Sequence, residues 1–196
     1  GRMPVRAFPT GAEGKPVPGN LNLSGEDRQQ RLDEIYMPYD NAVSDLVESY
    51  LGRGINPVLI AVHSYTPLFF GEQRPWQVAA FWRQDNRLAR YAIEHFEAQG
   101  YCVGDNEPYD MRILYGTTVT RHGDARRLPN VFMELRNDMI DTDEKARDWG
   151  EKYYACFKPA LEDPGTYTLY DGPENPYDPV AEDEYFRKIM RTMAAY

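Results

Sequence analysis

Apolar and polar positions fall into blocks along this chain, and the period changes from block to block. Residues 1–24 are rich in Pro and Gly and read as loop, with a short extended piece around 5–8. Leu32, Ile35, Tyr36, Tyr39, Val43, Leu46, Val47 and Tyr50 then recur three or four apart, which predicts a helix from 25 to about 51. Ser24 is its N-cap with Asp27 in the first turn, Pro38 kinks or splits it, and Gly52 and Gly54 end it. Residues 56–67 read Asn-Pro-Val-Leu-Ile-Ala-Val-His-Ser-Tyr-Thr-Pro. An unbroken apolar run between turn formers predicts a strand buried on both faces, with polar residues at its carboxyl end. A second buried strand is predicted over 76–82 and a helix over 87–99, capped by Asp85 or Asn86, with His95 in its buried or boundary stripe. A short strand follows at 101–104 and another at 130–138. In that last strand period two puts Phe132, Glu134 and Arg136 on one face and Val131, Met133 and Leu135 on the other. Thr142 or Asp143 caps a helix over 144–161.

Strands alternating with helices predict an α/β fold, a mostly parallel or mixed sheet flanked by helices, over residues 1–162. Residues 163–179, rich in Pro, Gly, Tyr and acid, read as an extended arm. A helix follows at 181–194 with Tyr185, Phe186, Ile189, Met190 and Met193 on its apolar face. That face has to be buried, so the arm is expected to dock on its own core or to make a homo-oligomer.

Composition narrows the function classes. A chain of 196 residues, 42% hydrophobic and 13% aromatic, can bury a core as one domain. A formal charge of -9 with no basic stripe excludes a general nucleic-acid partner. No apolar run approaches the roughly 20 residues that span a bilayer, and no secretory signal stands at the start, so no membrane association is expected. Cys102 and Cys156 are too few and too far apart for a disulfide framework, which points to a reduced, cytoplasmic setting. The chain begins with Gly1, the mark of a tag remnant, a processed chain or a fragment.

The candidate chemistry sits where strands end. In open α/β sheets ligands bind beyond the carboxyl ends of strands, which makes His63 the first candidate; a His there also serves as a hydrogen-bonded structural residue. Asp105-Asn106-Glu107-Pro108-Tyr109-Asp110 follows a strand and reads as an Asx-rich turn or a ligand-facing loop. His122, beside Gly123, either contacts substrate or is solvated. Glu134 lies between apolar neighbours, where an ionised carboxylate is costly unless paired or metal-bound. Its alternatives are an ion pair with an Arg and a catalytic carboxylate facing the pocket of His63.

Taken together, 18–24 (Pro-Gly-Asn-Leu-Asn-Leu-Ser), 62–67 (Val-His-Ser-Tyr-Thr-Pro), 75–78, 104–109 (Gly-Asp-Asn-Glu-Pro-Tyr), 121–123 and 128–140 resemble the N-formylglutamate amidohydrolase family in order and spacing, over roughly 14–161. The resemblance implies a zinc-carboxypeptidase-like fold and a hydrolase of linear amide bonds that releases formate from a formylated glutamate, with one zinc ion. It implies His63 as a metal ligand and Glu134 as the carboxylate that activates water. It implies that Arg136, counted with Glu134 among the catalytic residues, and the loop of Asn106, Glu107 and Tyr109 hold a small carboxylate substrate. Such chemistry is sound: zinc lowers the pKa of bound water toward ~7 and polarises the carbonyl, a Glu shuttles the proton, and a guanidinium grips a carboxylate in a fork. Family members carry an N-terminal segment with two further ligands, a His and an acid, and often a His where Asp40 stands. Here no such pair precedes His63, and a catalytic zinc wants three protein ligands. Asp105 and His122 are the candidate substitutes, although nothing in their spacing argues for either. The alternatives are a shortened amidohydrolase, a non-catalytic module binding carboxylate ligands, or a site completed by a second chain.

Overall fold

The computed structural model describes residues 8–12, 15–115 and 117–194, with side chains described as far as 188. The expected extended piece at 5–8 falls almost wholly outside these, as do the side chains of Ile189, Met190 and Met193. The chain divides into two compact units, Gly1–Arg53 and Gly54–Tyr196.

In the first unit Ser24 caps α1 (Gly25–Arg31) with a full capping box: its hydroxyl accepts from the Asp27 N–H while the Asp27 carboxylate accepts from the Ser24 N–H. The predicted long helix is interrupted just upstream of Pro38, which itself stands in the first turn of the second segment. A π-helical turn, Leu32–Tyr36, separates α1 from α2 (Met37–Leu51), and the Met37 N–H reaches back to the Leu32 carbonyl. A proline gives no N–H and crowds the carbonyl four residues earlier; the widened turn just upstream accommodates both. It also shifts the helical phase, so the periodic stripe does not become one buried face. Leu32 and Val47 are buried, but Ile35, Tyr39 and Leu46 are 71%, 59% and 60% exposed.

The second unit is built on a four-stranded sheet: β1 (Leu59–Tyr65), β2 (Val78–Phe81), β3 (Val103–Asp105) and β4 (Asn130–Arg136), in spatial order β1-β4-β2-β3. β1 runs parallel to β4 and β2 parallel to β3, while β2 and β4 are antiparallel, so the sheet is mixed. β4 is central and buried almost throughout. Among the described residues β1 has β4 as its single strand neighbour, which places it at the edge of the sheet. The expectation that β1 is buried on both faces is therefore corrected: Val62 is 56% exposed, and His63 and Ser64 are exposed with it.

The period-two reading of β4 holds. Val131, Met133 and Leu135 join Val78 and Ala80 in one core. It is closed by Leu88, Ala89, Ala92 and Phe96 of α3 (Arg87–Glu97) and by Trp149, Cys156, Phe157 and Ala160 of α4 (Asp143–Glu162). Thr142 caps α4, its hydroxyl accepting from the Lys145 N–H. On the opposite face Phe132 packs with Tyr65, Ala79, Phe81, Met111 and Val119. No helix among the described residues is long and apolar enough to cross a membrane.

The C-terminal arm lies on its own α/β unit. The Arg83 guanidinium donates to the carbonyls of Met111, Arg112 and Leu114 through Nη1, and to those of Asn175 and Pro176 through Nη2. Arg127 donates to the Tyr170 and Gly172 carbonyls. From α5 (Pro179–Ala194) the Tyr185 hydroxyl accepts from the Asp110 N–H, and Glu182 accepts from the Tyr115 N–H. Arm and terminal helix thus fasten the loop that follows β3.

Candidate functional site

The site is organised by the second face of β4. Register sets His63 of β1 and Ala79 of β2 on either side of Glu134. The His63 ring meets the Phe132 ring edge-on at 4.6 Å. Glu134 is 8% exposed, and its Oε2 has no hydrogen-bond partner. Burial pushes its carboxyl up to about 7, against the opposing pull of the Arg74 guanidinium. A carboxyl poised near neutrality can take a proton and return it. Partial desolvation also draws His63 below the ordinary imidazole range, which favours the neutral ring.

Arg74 is delivered by a hairpin. The two-residue strands Leu68–Phe69 and Glu72–Gln73 pair through a turn with positive φ at Phe70 (50°) and Gly71 (81°), the conformation that tight hairpins demand. The Arg74 N–H then closes onto the Pro67 carbonyl at 2.9 Å. The Arg74 side chain is only 7% exposed. Its Nη2 donates to the Tyr109 hydroxyl at 2.6 Å, and the rings of Phe69, Tyr109 and Tyr65 surround its guanidinium at 4.4, 5.2 and 5.3 Å. Tyr65 donates its hydroxyl to the Trp76 carbonyl at 2.6 Å, and burial, reinforced by the Glu134 charge, drives that hydroxyl's pKa upward.

The residues singled out from sequence take different places. His63, Glu134 and, through Arg74, Tyr109 come together. Arg136 sits at the end of β4 with its Nε and Nη2 on the Asp138 carboxylate at 2.8 and 3.1 Å and its Nη1 on the Arg74 carbonyl at 3.0 Å. The anticipated Glu–Arg pair is therefore not formed by Arg136. Asn106, buried and at φ 54°, gives both ends of its amide to the Trp82 backbone, each at 3.1 Å. Asp105 accepts from the Trp82 indole N–H at 2.7 Å. Glu107 is exposed. His122 lies within the π-helical turn Val119–Gly123 and is 4% exposed, so it is not the solvated residue that its Gly neighbour suggested. Sequence reasoning passed over Arg74. Its one signal was a positive charge in a short Gly-containing loop between two buried strands.

Among the described residues no three His, Cys, Asp or Glu side chains come together to hold a metal ion. One imidazole beside one buried carboxyl falls short of the three protein ligands of a catalytic zinc. Among the described residues neither Asp105 nor His122 fills the gap.

The sequence profile of the N-formylglutamate amidohydrolase family matches residues 3–140. No curated protein matches the chain. Solved structures that resemble it include the following two. One is a gene product of Agrobacterium tumefaciens, with TM-score 0.74 and 27% identity, covering 79% of this chain and 62% of that one. The other is an N-formylglutamate amidohydrolase from Ralstonia eutropha JMP134, with TM-score 0.53 and 18% identity over 69% of this chain and 55% of that one, a likeness of fold. The chain thus spans less than two thirds of the length of either.

Proposed function

The chain belongs to the N-formylglutamate amidohydrolase family, and on that footing we propose that it hydrolyses the amide of an N-formylated acidic amino acid, with Glu134 as the proton carrier. The observation that carries this reading is the buried Glu134 carboxyl, held near neutrality with Oε2 unpartnered, beside the exposed His63 on the sheet edge. A carboxylate in that state accepts a proton from water as the water oxygen attacks the formyl carbon. It then gives the proton to the departing nitrogen as the C–N bond breaks, so formate and the free amino acid leave and the carboxylate is restored. The neutral His63 ring offers a lone pair to a substrate N–H or to an electrophile at the same edge.

The test is formate release from N-formyl-L-glutamate by the purified chain. Glu134→Gln keeps the shape of the side chain and removes the proton-carrying function, and kcat is expected to fall by about 10²–10⁴-fold. Equal rates for the variant and the wild type sink the mechanism. Saturable binding of N-formyl-L-glutamate with no turnover in either protein is the behaviour of a carboxylate-binding module instead.

A further inference from the structure

We propose that Arg74, caged by Tyr65, Phe69 and Tyr109 beside Glu134, is the group that grips a carboxylate of the substrate; this rests on the amidohydrolase reading above. Arg136 has the sequence position for that task but not the freedom. Its charge is met by the Asp138 carboxylate in a two-point contact, and its remaining contact is the Arg74 carbonyl. Arg74 is the reverse case. It is buried to 7% exposure, and among the described residues no carboxylate lies within ion-pair distance of it.

A buried cation with no carboxylate in ion-pair contact is expensive. The three rings offset part of that expense through their electron-rich faces, and the Tyr109 hydroxyl satisfies one of five guanidinium donors at 2.6 Å. Donors remain for an incoming anion. Because guanidinium and carboxylate are both planar forks, a desolvated Arg of this kind suits a carboxylate better than any other common anion except phosphate. The charge also acts on Glu134, whose carboxyl it pulls against burial, so an anion docked on Arg74 lies close to the proton carrier. An acidic N-formyl amino acid offers two carboxylates, and one of them fits this place. The hairpin turn at Phe70 and Gly71 and the Tyr109 hydroxyl fix where the fork points.

The experiment compares kcat/KM for N-formyl-L-glutamate and its two mono-amides, N-formyl-L-glutamine and N-formyl-L-isoglutamine. The proteins are the wild type, Arg74→Met, Arg74→Lys and Tyr109→Phe. The wild type is expected to prefer the diacid over one mono-amide by about 10–100-fold, the range of a charge-assisted hydrogen bond. In Arg74→Met that preference collapses, through a raised KM for the diacid. Arg74→Lys restores part of it as a point charge, and Tyr109→Phe lowers it a few-fold because the fork loses its support. A merely structural Arg74 would lower all three substrates alike together with the melting temperature, leaving the ratios intact, and that result overturns the proposal. If Arg74→Met fails to fold, the ratios in Arg74→Lys and Tyr109→Phe decide. A wild type that hydrolyses all three substrates equally refutes the role of Arg74 and leaves the hydrolase reading standing. A wild type that neither binds nor hydrolyses any of them removes the hydrolase reading and this proposal with it.

Discussion

Glu134→Gln should make this protein more stable at alkaline pH while it impairs turnover, and the size of the effect follows from the burial of one carboxyl. The ordinary glutamate value of 4.5 is raised to about 7 in the folded chain, with desolvation as the leading cause. Between those two values the folded chain holds a proton that the unfolded chain has released. Stability therefore falls as pH rises through this window, and the whole loss is present above pH 7. At roughly 1.4 kcal/mol per pH unit the displacement is worth about 3 kcal/mol. The glutamine variant does not titrate and escapes this loss. The stability difference between variant and wild type should thus grow in favour of the variant by about 3 kcal/mol between pH 4.5 and pH 8. For a chain of this size that is a relative gain in Tm of roughly 6–12 °C. Asp124, pushed to about 6 by its own burial, titrates in the same range, but it is present in both proteins and cancels in the difference. Urea unfolding at several pH values, read by tryptophan fluorescence, measures it. Parallel stability curves, within about 0.5 kcal/mol from pH 5 to pH 8, would show that Glu134 carries no such burden and would refute the argument for a poised proton carrier.

Three further outcomes are expected. Arg83→Ala removes a guanidinium that serves five backbone carbonyls across 111–114 and 175–176. It should cost about 2–3 kcal/mol and open the arm at 168–178 to limited proteolysis, whereas an unchanged digestion pattern would show that Arg83 does not hold it. In Gly104→Ala the new Cβ would stand 2.6 Å from the Glu107 carbonyl oxygen and 3.1 Å from the Ala79 Cβ. The loop must move, and a loss of roughly 1–3 kcal/mol in urea unfolding is expected; wild-type stability would contradict the close approach. In a calorimetric zinc titration, His63 with the buried Glu134 should give no site tighter than about micromolar, because two ligands do not make a catalytic zinc centre. Sub-micromolar binding that vanishes in His63→Ala would overturn this.

Much of this molecule was legible in its sequence because the signals are local. Ser24 and Thr142 cap their helices with the hydroxyls that a cap requires. The long helix is interrupted just upstream of Pro38 because a proline ring cannot continue one unchanged. The period of β4 put Glu134 and Phe132 opposite Val131, Met133 and Leu135, because side chains on a strand have no other option. The motifs around His63 and Glu134 pointed to the family that the sequence profile also matches.

What the sequence could not decide depends on partners distant along the chain. The run before His63 looks buried on both faces, yet among the described residues strand order places it at an edge, and no local pattern encodes how many neighbours a strand has. Arg74, Arg83 and Arg136 are alike in sequence. Tertiary contacts make one a caged cation, one a clamp on the arm and one a donor to the Arg74 carbonyl, 62 residues away. Asn106 looked like a ligand-facing amide until its two ends met the Trp82 backbone, 24 residues away. A residue's chemistry is set by its type, but its freedom to use that chemistry depends on which of its donors and acceptors the fold has already satisfied.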